Sequence, residues 1–355
     1  MVGPATTTID RKLLRREGLR YVNDRKPGIA RTKRGTGWAF HNVDGALIRD
    51  KDEIQRIRSI AVPPAWTDVW ICPYPTGHIQ ATGLDARGRK QYRYHAKWRE
   101  VRDDNKYQEI VGFADALPAI RKRVEVDIQL PGLPREKVLA TVVRLLEVTL
   151  IRVGNASYAK ENESYGLTTI RKKHIDFDGS DIRFRFMGKS GKEWDLSVKD
   201  RRIANVVRKC SELPGYELFK YEDDDGDLVD VTSADVNAYL RDITGEEFTS
   251  KDFRTWAGTV LAAMALDEFE AFDSSAEAKK NVVSAIETVS KQLGNTPAIC
   301  RKCYVHPEIL DSYLDGELAG TIGREIGKKV QSEFGQLTAE EIMVLAFLKK
   351  RLEAR

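Results

Sequence analysis

The chain has 355 residues, 41% of them apolar, so it can bury a sizeable core and is long enough for two domains. No apolar stretch is long enough to span a membrane, and no apolar signal core follows the polar, then basic, start, so we expect a cytoplasmic protein without membrane contacts. Its 58 Lys and Arg nearly balance 54 Asp and Glu, and the net charge of +4 by itself singles out no class of partner.

The first hundred residues are basic and have mainly β character. They hold 20 Lys or Arg against 10 Asp or Glu, whereas the remaining residues hold 38 against 44. Short strands are predicted at Trp38, Phe40 and Ile48 and over 69–72, 79–82 and 91–94, after a short basic helix over 11–20. We therefore predict a small β-rich N-terminal domain over residues 1–104 whose partner is a polyanion.

From about Lys106 the pattern becomes helical, and we predict a larger, mainly α domain over residues 105–355. Apolar residues at helical spacing after Pro134 predict a buried helix that leads to Arg152. Alternating residues on both sides of 188–191 predict a β-hairpin with Lys189 at its turn. Further helices are predicted over 235–244, 255–272, 276–293 and 338–352, so the fold class is α+β.

Two motifs that resemble metal sites do not satisfy the spacing rules. The acidic run 222–227 would put Tyr221 and Thr232 at ligand positions of a calcium loop, so we interpret it as a hairpin turn. The pair Cys300 and Cys303 lacks the two further ligands that zinc needs, and we expect all four cysteines, which include Cys72 and Cys210, to be reduced and structural.

Four separated segments carry the candidate chemistry. The first runs from Arg152-Val153-Gly154-Asn155 to Thr169, and the second is the hairpin turn Phe186-Met187-Gly188-Lys189. The third is Lys251-Asp252-Phe253-Arg254-Thr255-Trp256. The fourth runs from Leu293-Gly294-Asn295-Thr296-Pro297 to Cys303-Tyr304-Val305-His306-Pro307.

In their order and local sequence these segments resemble the poxvirus-type and bacterial type IB DNA topoisomerases. The resemblance extends over nearly the whole chain. The resemblance implies a fold like that of these enzymes and of the tyrosine recombinases, with a clamp around duplex DNA. It implies relaxation of supercoils through a 3′-phosphotyrosine, by a protein that acts as a monomer in the nucleoid. The implied catalytic residues are the nucleophile Tyr304 together with Arg152, Lys189, Arg254 and Asn295.

The resemblance also implies DNA contacts, and the sequence departs from the family in two places. The segment 88–94 resembles the family's DNA-contacting segment, and the expected contacts are Arg89, Lys90, Gln91, Tyr92, Tyr94, Tyr158 and Lys251. Asn295 stands where the family usually has a histidine, so it can donate a hydrogen bond but carries no positive charge. Asn155 and Ser157 replace lysines that help poxvirus enzymes to read their cleavage site, so sequence preference cannot be carried over.

The residue types suit this chemistry on physical grounds. A tyrosine hydroxyl, with an ordinary pKa of about 10, attacks a phosphodiester only when nearby cations favour its phenolate. Two arginines offer paired donors to the non-bridging oxygens, and a turn lysine can protonate the leaving 5′ oxygen. Because the arginines supply the positive charge, we expect no metal, ATP or other cofactor.

Two other functions remain as alternatives. A tyrosine site-specific recombinase uses the same residue types, but it has a histidine where this chain has Lys251, and its N-terminal domain differs. A non-catalytic DNA-binding protein would have lost its nucleophile function. Asn295 gives this second alternative slight support, whereas the presence of Arg152, Lys189, Arg254 and Tyr304 disfavours it.

Overall fold

In a computed structural model of the protein, which describes residues 11–223, 225–269, 272–318 and 336–353, the chain divides into two units. These are Met1–Tyr107, called the N-terminal unit, and Gln108–Arg355, called the C-terminal unit. The first is built on a β-sheet and the second is larger and mainly helical, which confirms the predicted α+β fold class. None of the helices in the described part of the chain is long and apolar enough to cross a bilayer.

The N-terminal unit contains an antiparallel five-stranded sheet with the strand order β2-β1-β3-β4-β5. Ile57 of its second helix lies in one apolar cluster with Ile29, Phe40, Ile71 and Ala81 of the sheet. The last strand, which carries four of the predicted DNA contacts, lies at the edge of the sheet. In chain order the elements are α1 (Arg11–Arg16), β1 (Ile29–Arg34), β2 (Gly37–His41), α2 (Lys51–Ser59), β3 (Thr67–Ile71), β4 (Ile79–Leu84) and β5 (Lys90–Tyr94).

The C-terminal unit combines helices with a three-stranded antiparallel sheet and a small two-stranded one. The boundary between the two units lies within its first helix, α3 (Ala96–Asp127). The other elements are α4 (Arg135–Thr149), α5 (Ala156–Asn162), β6 (Ile175–Asp178), β7 (Asp181–Met187), β8 (Glu193–Lys199), α6 (Arg201–Glu212), β9 (Lys220–Glu222), β10 (Leu228–Asp230), α7 (Ser233–Thr244), α8 (Ser250–Asp267), α9 (Ser275–Leu293), α10 (Pro297–Cys303), α11 (Pro307–Leu314) and α12 (Ala339–Glu353).

Helix ends in the C-terminal unit follow ordinary capping chemistry, and several of them fix the segments named above. The α8 helix begins one turn before the predicted start at residue 255, because Asp252 accepts a hydrogen bond from the Thr249 amide at 2.8 Å. The α9 helix ends at Gly294, whose φ of +60° is the left-handed conformation common at such ends. Thr296 and Pro297 then start α10, so the chain reverses sharply on both sides of Asn295.

The C-terminal helix α12 is tied to three other helices by buried polar contacts. Glu341 accepts two hydrogen bonds from the guanidinium of Arg121 on α3, both at 2.8 Å, and one from the indole of Trp256 on α8, at 3.1 Å. Arg351 bonds Glu308 on α11, a carboxylate that is only 1% exposed. These contacts join α12 to the helices on both sides of Tyr304 in the sequence.

Several elements match the sequence prediction and others do not. The hairpin of β7 and β8, the acidic hairpin turn between β9 and β10, and the helices α4, α7, α9 and α12 lie close to where they were predicted. The strand predicted at Ile48 is wrong, since that residue lies outside every strand of the sheet. The helices α2, α5, α6, α10 and α11 were not predicted.

Candidate active site

Arg152 lies on a tightly packed turn that follows α4. The helix ends at Leu150, which has a φ of +55°, and the chain then passes through Ile151 to Arg152. The Arg152 carbonyl accepts a hydrogen bond from the Leu167 amide at 2.9 Å. A Cβ atom on Gly166 would lie 2.5 Å from that carbonyl oxygen, so only glycine permits this approach of the two segments. Main-chain contacts therefore hold the backbone of Arg152 in place independently of its side chain.

The side chain of Arg152 reaches the turn that follows α9. Its Nη2 atom donates to the carboxamide oxygen of Asn295 and, at 3.3 Å, to the carbonyl of Gly294. With its oxygen used in this way, Asn295 turns its nitrogen Nδ2 to the other side. That nitrogen is buried and has no hydrogen-bond partner among the described residues.

Arg254 is the most deeply buried member of the predicted site, with 3% exposure. Its Nη1 donates to the carbonyl of Leu150 at the end of α4, and its Nη2 donates to the carbonyl of Leu293 at the end of α9, at 2.7 Å. Both acceptors are at helix C-termini, where the helix dipole favours a cation. Burial lowers the pKa of Arg254 from its ordinary value, and the neighbouring Tyr304 acts in the opposite direction.

Tyr304 lies at the C-terminal end of α10, with its ring beside Arg254. The guanidinium carbon of Arg254 is 5.1 Å from the centre of the ring. The Tyr304 amide donates to the Cys300 carbonyl at 2.9 Å, which continues the helix by one residue. Burial raises the pKa of the Cys300 thiol to about 11, so that side chain adds no negative charge next to Arg254 near neutral pH. A positive charge in this position stabilises a phenolate.

Lys189 projects from the turn of the hairpin and is exposed. Its Nζ lies 5.5 Å from the centre of the Tyr158 ring, and no hydrogen bond within the described residues joins it to Tyr304 or Asn295. The residues that follow the turn are nevertheless close to the turn that holds Asn295. A Cβ atom on Gly294 would lie 3.2 Å from both Lys192 and Trp194 of the hairpin. The structure therefore gathers four of the five predicted catalytic side chains and leaves the fifth on an exposed turn above Tyr158.

The predicted DNA contacts of the N-terminal unit all lie on or beside β5. Tyr92 and Tyr94 stack with their ring centres 5.9 Å apart. Lys90 pairs with Asp24 at 2.5 Å. The remaining two, Arg89 and Gln91, both donate hydrogen bonds to Asp85 at 2.9 Å. The bond from Arg89 lowers the pKa of Asp85 to about 2, so this carboxylate is ionised near neutral pH.

The other two predicted DNA contacts lie in the C-terminal unit. Tyr158 is half-buried on α5, and its amide donates to the side chain of Asn155 at 2.9 Å. Lys251 is exposed in the first turn of α8, one turn before Arg254. Its position puts an exposed cation near the buried one.

Sequence reasoning missed the groups that hold these side chains. The carbonyls of Leu150 and Leu293 are main-chain atoms, and no sequence signal marks them. Gly258, which lies against Tyr304, could have been noticed as a glycine in the middle of a predicted helix. In the part of the chain that the structure describes, no three His, Cys, Asp or Glu side chains gather as metal ligands would.

Comparison with known proteins identifies relatives over most of the chain. A family model described as the catalytic core of eukaryotic DNA topoisomerase I matches residues 95–319. A model described as the N-terminal domain of bacterial DNA topoisomerase IB matches residues 37–85. The DNA topoisomerase 1B of Acanthamoeba polyphaga mimivirus is 31% identical over 293 residues, covering 81% of this chain and 87% of the viral protein. That of vaccinia virus (strain Copenhagen) is 22% identical over 300 residues, covering 82% and 92%.

Proposed function

The chain belongs to the type IB DNA topoisomerases, isomerases that bind DNA, and we propose that it relaxes supercoiled duplex DNA by cutting and rejoining one strand through Tyr304. The observation that carries this proposal is two buried donors, one on Arg254 beside Tyr304 and one on Asn295, which Arg152 binds. Nε of Arg254 and Nδ2 of Asn295 have no hydrogen-bond partner among the described residues. Buried polar groups are rarely left unpaired, and a phosphate oxygen is the acceptor that suits both.

In the proposed first step, Tyr304 gives its hydroxyl proton to water, and the resulting phenolate oxygen attacks the phosphorus of one strand. A bond forms between phosphorus and the tyrosine oxygen, and the bond to the 5′ oxygen breaks. The guanidinium of Arg254, beside the ring, stabilises the phenolate that attacks. The products are a 3′-phosphotyrosine and a strand that ends in a 5′ hydroxyl.

Charge on the non-bridging oxygens is stabilised by donors that are already in place. Both hydrogen bonds that Arg152 makes use Nη2, so the N–H groups of Nη1 and Nε remain to donate to phosphate oxygens. Asn295 adds its amide nitrogen, and Arg254 adds the N–H groups that do not bind carbonyls. Since the carbonyls and the carboxamide hold these donors before DNA arrives, little reorganisation accompanies the reaction.

The leaving 5′ oxygen needs a proton, and Lys189 is proposed to supply it. Its exposed turn and single ring contact allow the ammonium group to move from Tyr158 toward the DNA. The same lysine, once neutral, takes the proton back when the 5′ hydroxyl attacks the phosphotyrosine. Because the phosphotyrosine conserves the energy of the broken bond, relaxation needs neither ATP nor a metal.

The stacked Tyr92 and Tyr94, with Arg89, Lys90 and Gln91, are proposed to hold the duplex from the N-terminal unit, and Tyr158 and Lys251 from the C-terminal unit. Arg89 and Lys90 would exchange carboxylates for phosphates when DNA binds. We propose that one copy of the chain closes on the duplex and acts as a monomer.

Relaxation of a supercoiled plasmid in EDTA, without ATP, tests this function. The protein should convert the plasmid to relaxed topoisomers, and Tyr304→Phe should not. A folded protein that leaves the plasmid supercoiled would be a binding protein. One that acts only on particular sites and as a multimer would be a recombinase. A requirement for ATP or a divalent metal would contradict the mechanism.

A further inference from the structure

A glycine in the middle of α8 lies where its conformation gives no reason for it. Gly258 is buried, and its φ is not positive, so any residue could adopt its backbone conformation. Glycine in a helix interior is less favourable than alanine. The benefit of Gly258 must therefore come from the absence of a side chain.

The atoms that a side chain would meet belong to Tyr304. A Cβ atom on Gly258 would lie 2.5 Å from the carbonyl oxygen of Tyr304 and 3.2 Å from its Cβ. Distances under 3.0 Å do not occur for real Cβ atoms, and a main-chain oxygen cannot swing aside as the end of a flexible side chain can. Any substitution would push the Tyr304 backbone away from α8.

The next residue of α8 contacts the same segment. The buried hydroxyl of Thr259 accepts a hydrogen bond from the His306 amide at 3.1 Å and lies 3.5 Å from the Tyr304 carbonyl oxygen. Helix α8 therefore contacts main-chain atoms of the segment around Tyr304 through two adjacent residues, Gly258 and Thr259.

Arg254 lies one turn before Gly258 on the same face of α8. Its guanidinium, held by two helix-end carbonyls, is 5.1 Å from the centre of the Tyr304 ring. One helix face thus fixes both the ring and the backbone of Tyr304. The distance between the Tyr304 phenol and Arg254 depends on how closely the Tyr304 backbone packs against α8. Gly258 sets how closely it can pack.

We propose that Gly258 is a positioning residue that sets the depth at which Tyr304 sits against Arg254, with Thr259 as a second support. This inference rests on the proposed role of Tyr304 as nucleophile. A displacement of about 1 Å at a reacting group can cost about 10²-fold in rate. Gly258→Ala should therefore slow strand cleavage and religation about 10- to 100-fold while DNA binding without cleavage stays unchanged.

The test compares Gly258→Ala with Gly112→Ala, the same substitution on α3. A Cβ atom on Gly112 would meet only Phe248, at an ordinary 3.6 Å. Adduct formation is measured in a single turnover on a duplex that carries a site mapped with the unchanged protein. Noncovalent affinity is measured with each substitution placed in a Tyr304→Phe background. Gly112→Ala should cleave normally, and Gly258→Ala should be slow with a normal Kd when both are assayed well below the Tm of each variant.

The defect of Gly258→Ala should also differ from that of a variant that lacks the general acid Lys189. A bridging sulfur at the 5′ position, which leaves without a proton, should not restore Gly258→Ala because the nucleophile is misplaced. Wild-type cleavage by Gly258→Ala would overturn the inference, as would full rescue by sulfur. If the unchanged protein itself forms no adduct at Tyr304, the proposed function fails instead.

A second pair of variants keeps the inference testable if Gly258→Ala does not fold. Thr259→Val keeps the shape of the side chain and removes the hydroxyl, whereas Thr259→Ser keeps the hydroxyl. Slow cleavage by the valine variant with normal cleavage by the serine variant would support the inference. Normal cleavage by both would overturn it.

Discussion

The carboxamide oxygen of Asn295 accepts a hydrogen bond from the guanidinium of Arg152. This contact leaves the amide nitrogen of Asn295 as the end that can bind another group. Because arginine has only donors, it fixes the oxygen toward itself and the nitrogen away. The nitrogen is buried, without a hydrogen-bond partner in the described residues. Asn295 therefore offers one N–H donor that no described residue uses.

We expect Asn295→Ala to slow single-turnover cleavage, by up to about 10²–10³-fold, as loss of other transition-state donors does. Asn295→Asp is the matched variant, since it has the same shape but presents a carboxylate to the phosphate, and it should be slower than the alanine variant. Asn295→His should cleave at least as fast as the unchanged protein, because a histidine can add positive charge. Equal rates for the alanine variant and the unchanged protein would make Asn295 a turn residue only.

Tyr304→Phe should bind duplex DNA normally and never become covalently attached. The phenyl ring keeps the contact with Arg254 and lacks only the attacking oxygen. Labelled duplex analysed on denaturing gels measures the adduct, and gel-shift titration measures the affinity. An adduct formed by this variant would show that another residue is the nucleophile.

Lys189→Ala should cleave ordinary DNA very slowly and regain most of its rate on DNA with a bridging 5′ sulfur. An alkoxide departs poorly without an acid, whereas a thiolate, whose thiol has an ordinary pKa of about 8.5 in cysteine, departs unaided. Arg254→Ala is the comparison and should not be rescued to the same degree, since its proposed role concerns the nucleophile and the non-bridging oxygens. If sulfur leaves Lys189→Ala slow, the acid is a different group.

Glu341→Gln should lower the free energy of unfolding by about 1–3 kcal/mol, the cost of leaving buried charged and polar donors poorly paired. Arg121 would lose the carboxylate that binds both of its Nη atoms, and Trp256 would share the one remaining oxygen. The neighbouring Glu340 is exposed, and Glu340→Gln should change stability by less than about 0.5 kcal/mol. Urea unfolding of both variants measures the difference. Equal stability would mean that the charge of Glu341 contributes nothing through its contacts with α3 and α8.

Replacing Arg89 and Lys90 together by alanine should weaken duplex binding and flatten its salt dependence. Each phosphate contact that is lost lowers the slope of log affinity against log salt by about 0.9, so the pair should lower it by about 1.8. The exposed Lys279 and Lys280 on α9 provide a control with the same change of charge. If both double variants behave alike, β5 does not contact the phosphate backbone.

The sequence predicted those elements whose signal lies within a few residues. The α9 helix was predicted over 276–293 and found at Ser275–Leu293, because its apolar spacing and the glycine that ends it are both local. The short helices α10 and α11 were missed. Each has eight residues or fewer and begins at a proline that, in isolation, also indicates a turn.

The sequence could name the candidate side chains but not what holds them. Gly258 and Tyr304 are separated along the chain, and only the folded structure brings the glycine under the tyrosine backbone. The left-handed conformation of Leu150 has no sequence signal either, because a leucine is an unusual residue there. Its conformation is imposed by the packing of the turn that leads to Arg152.

The two acceptors that hold Arg254 are peptide carbonyls, and this changes what a point mutation can do to it. Exchanging the side chain at Leu150 or Leu293 alters packing but leaves the oxygen in place. The position of the Arg254 guanidinium should therefore tolerate substitutions at Leu150 and Leu293. Unrelated sequences could hold an arginine in the same way with the carbonyls of two helix ends. To transfer this arginine site to another protein, one would need to reproduce the positions of two helix C-termini rather than a sequence motif.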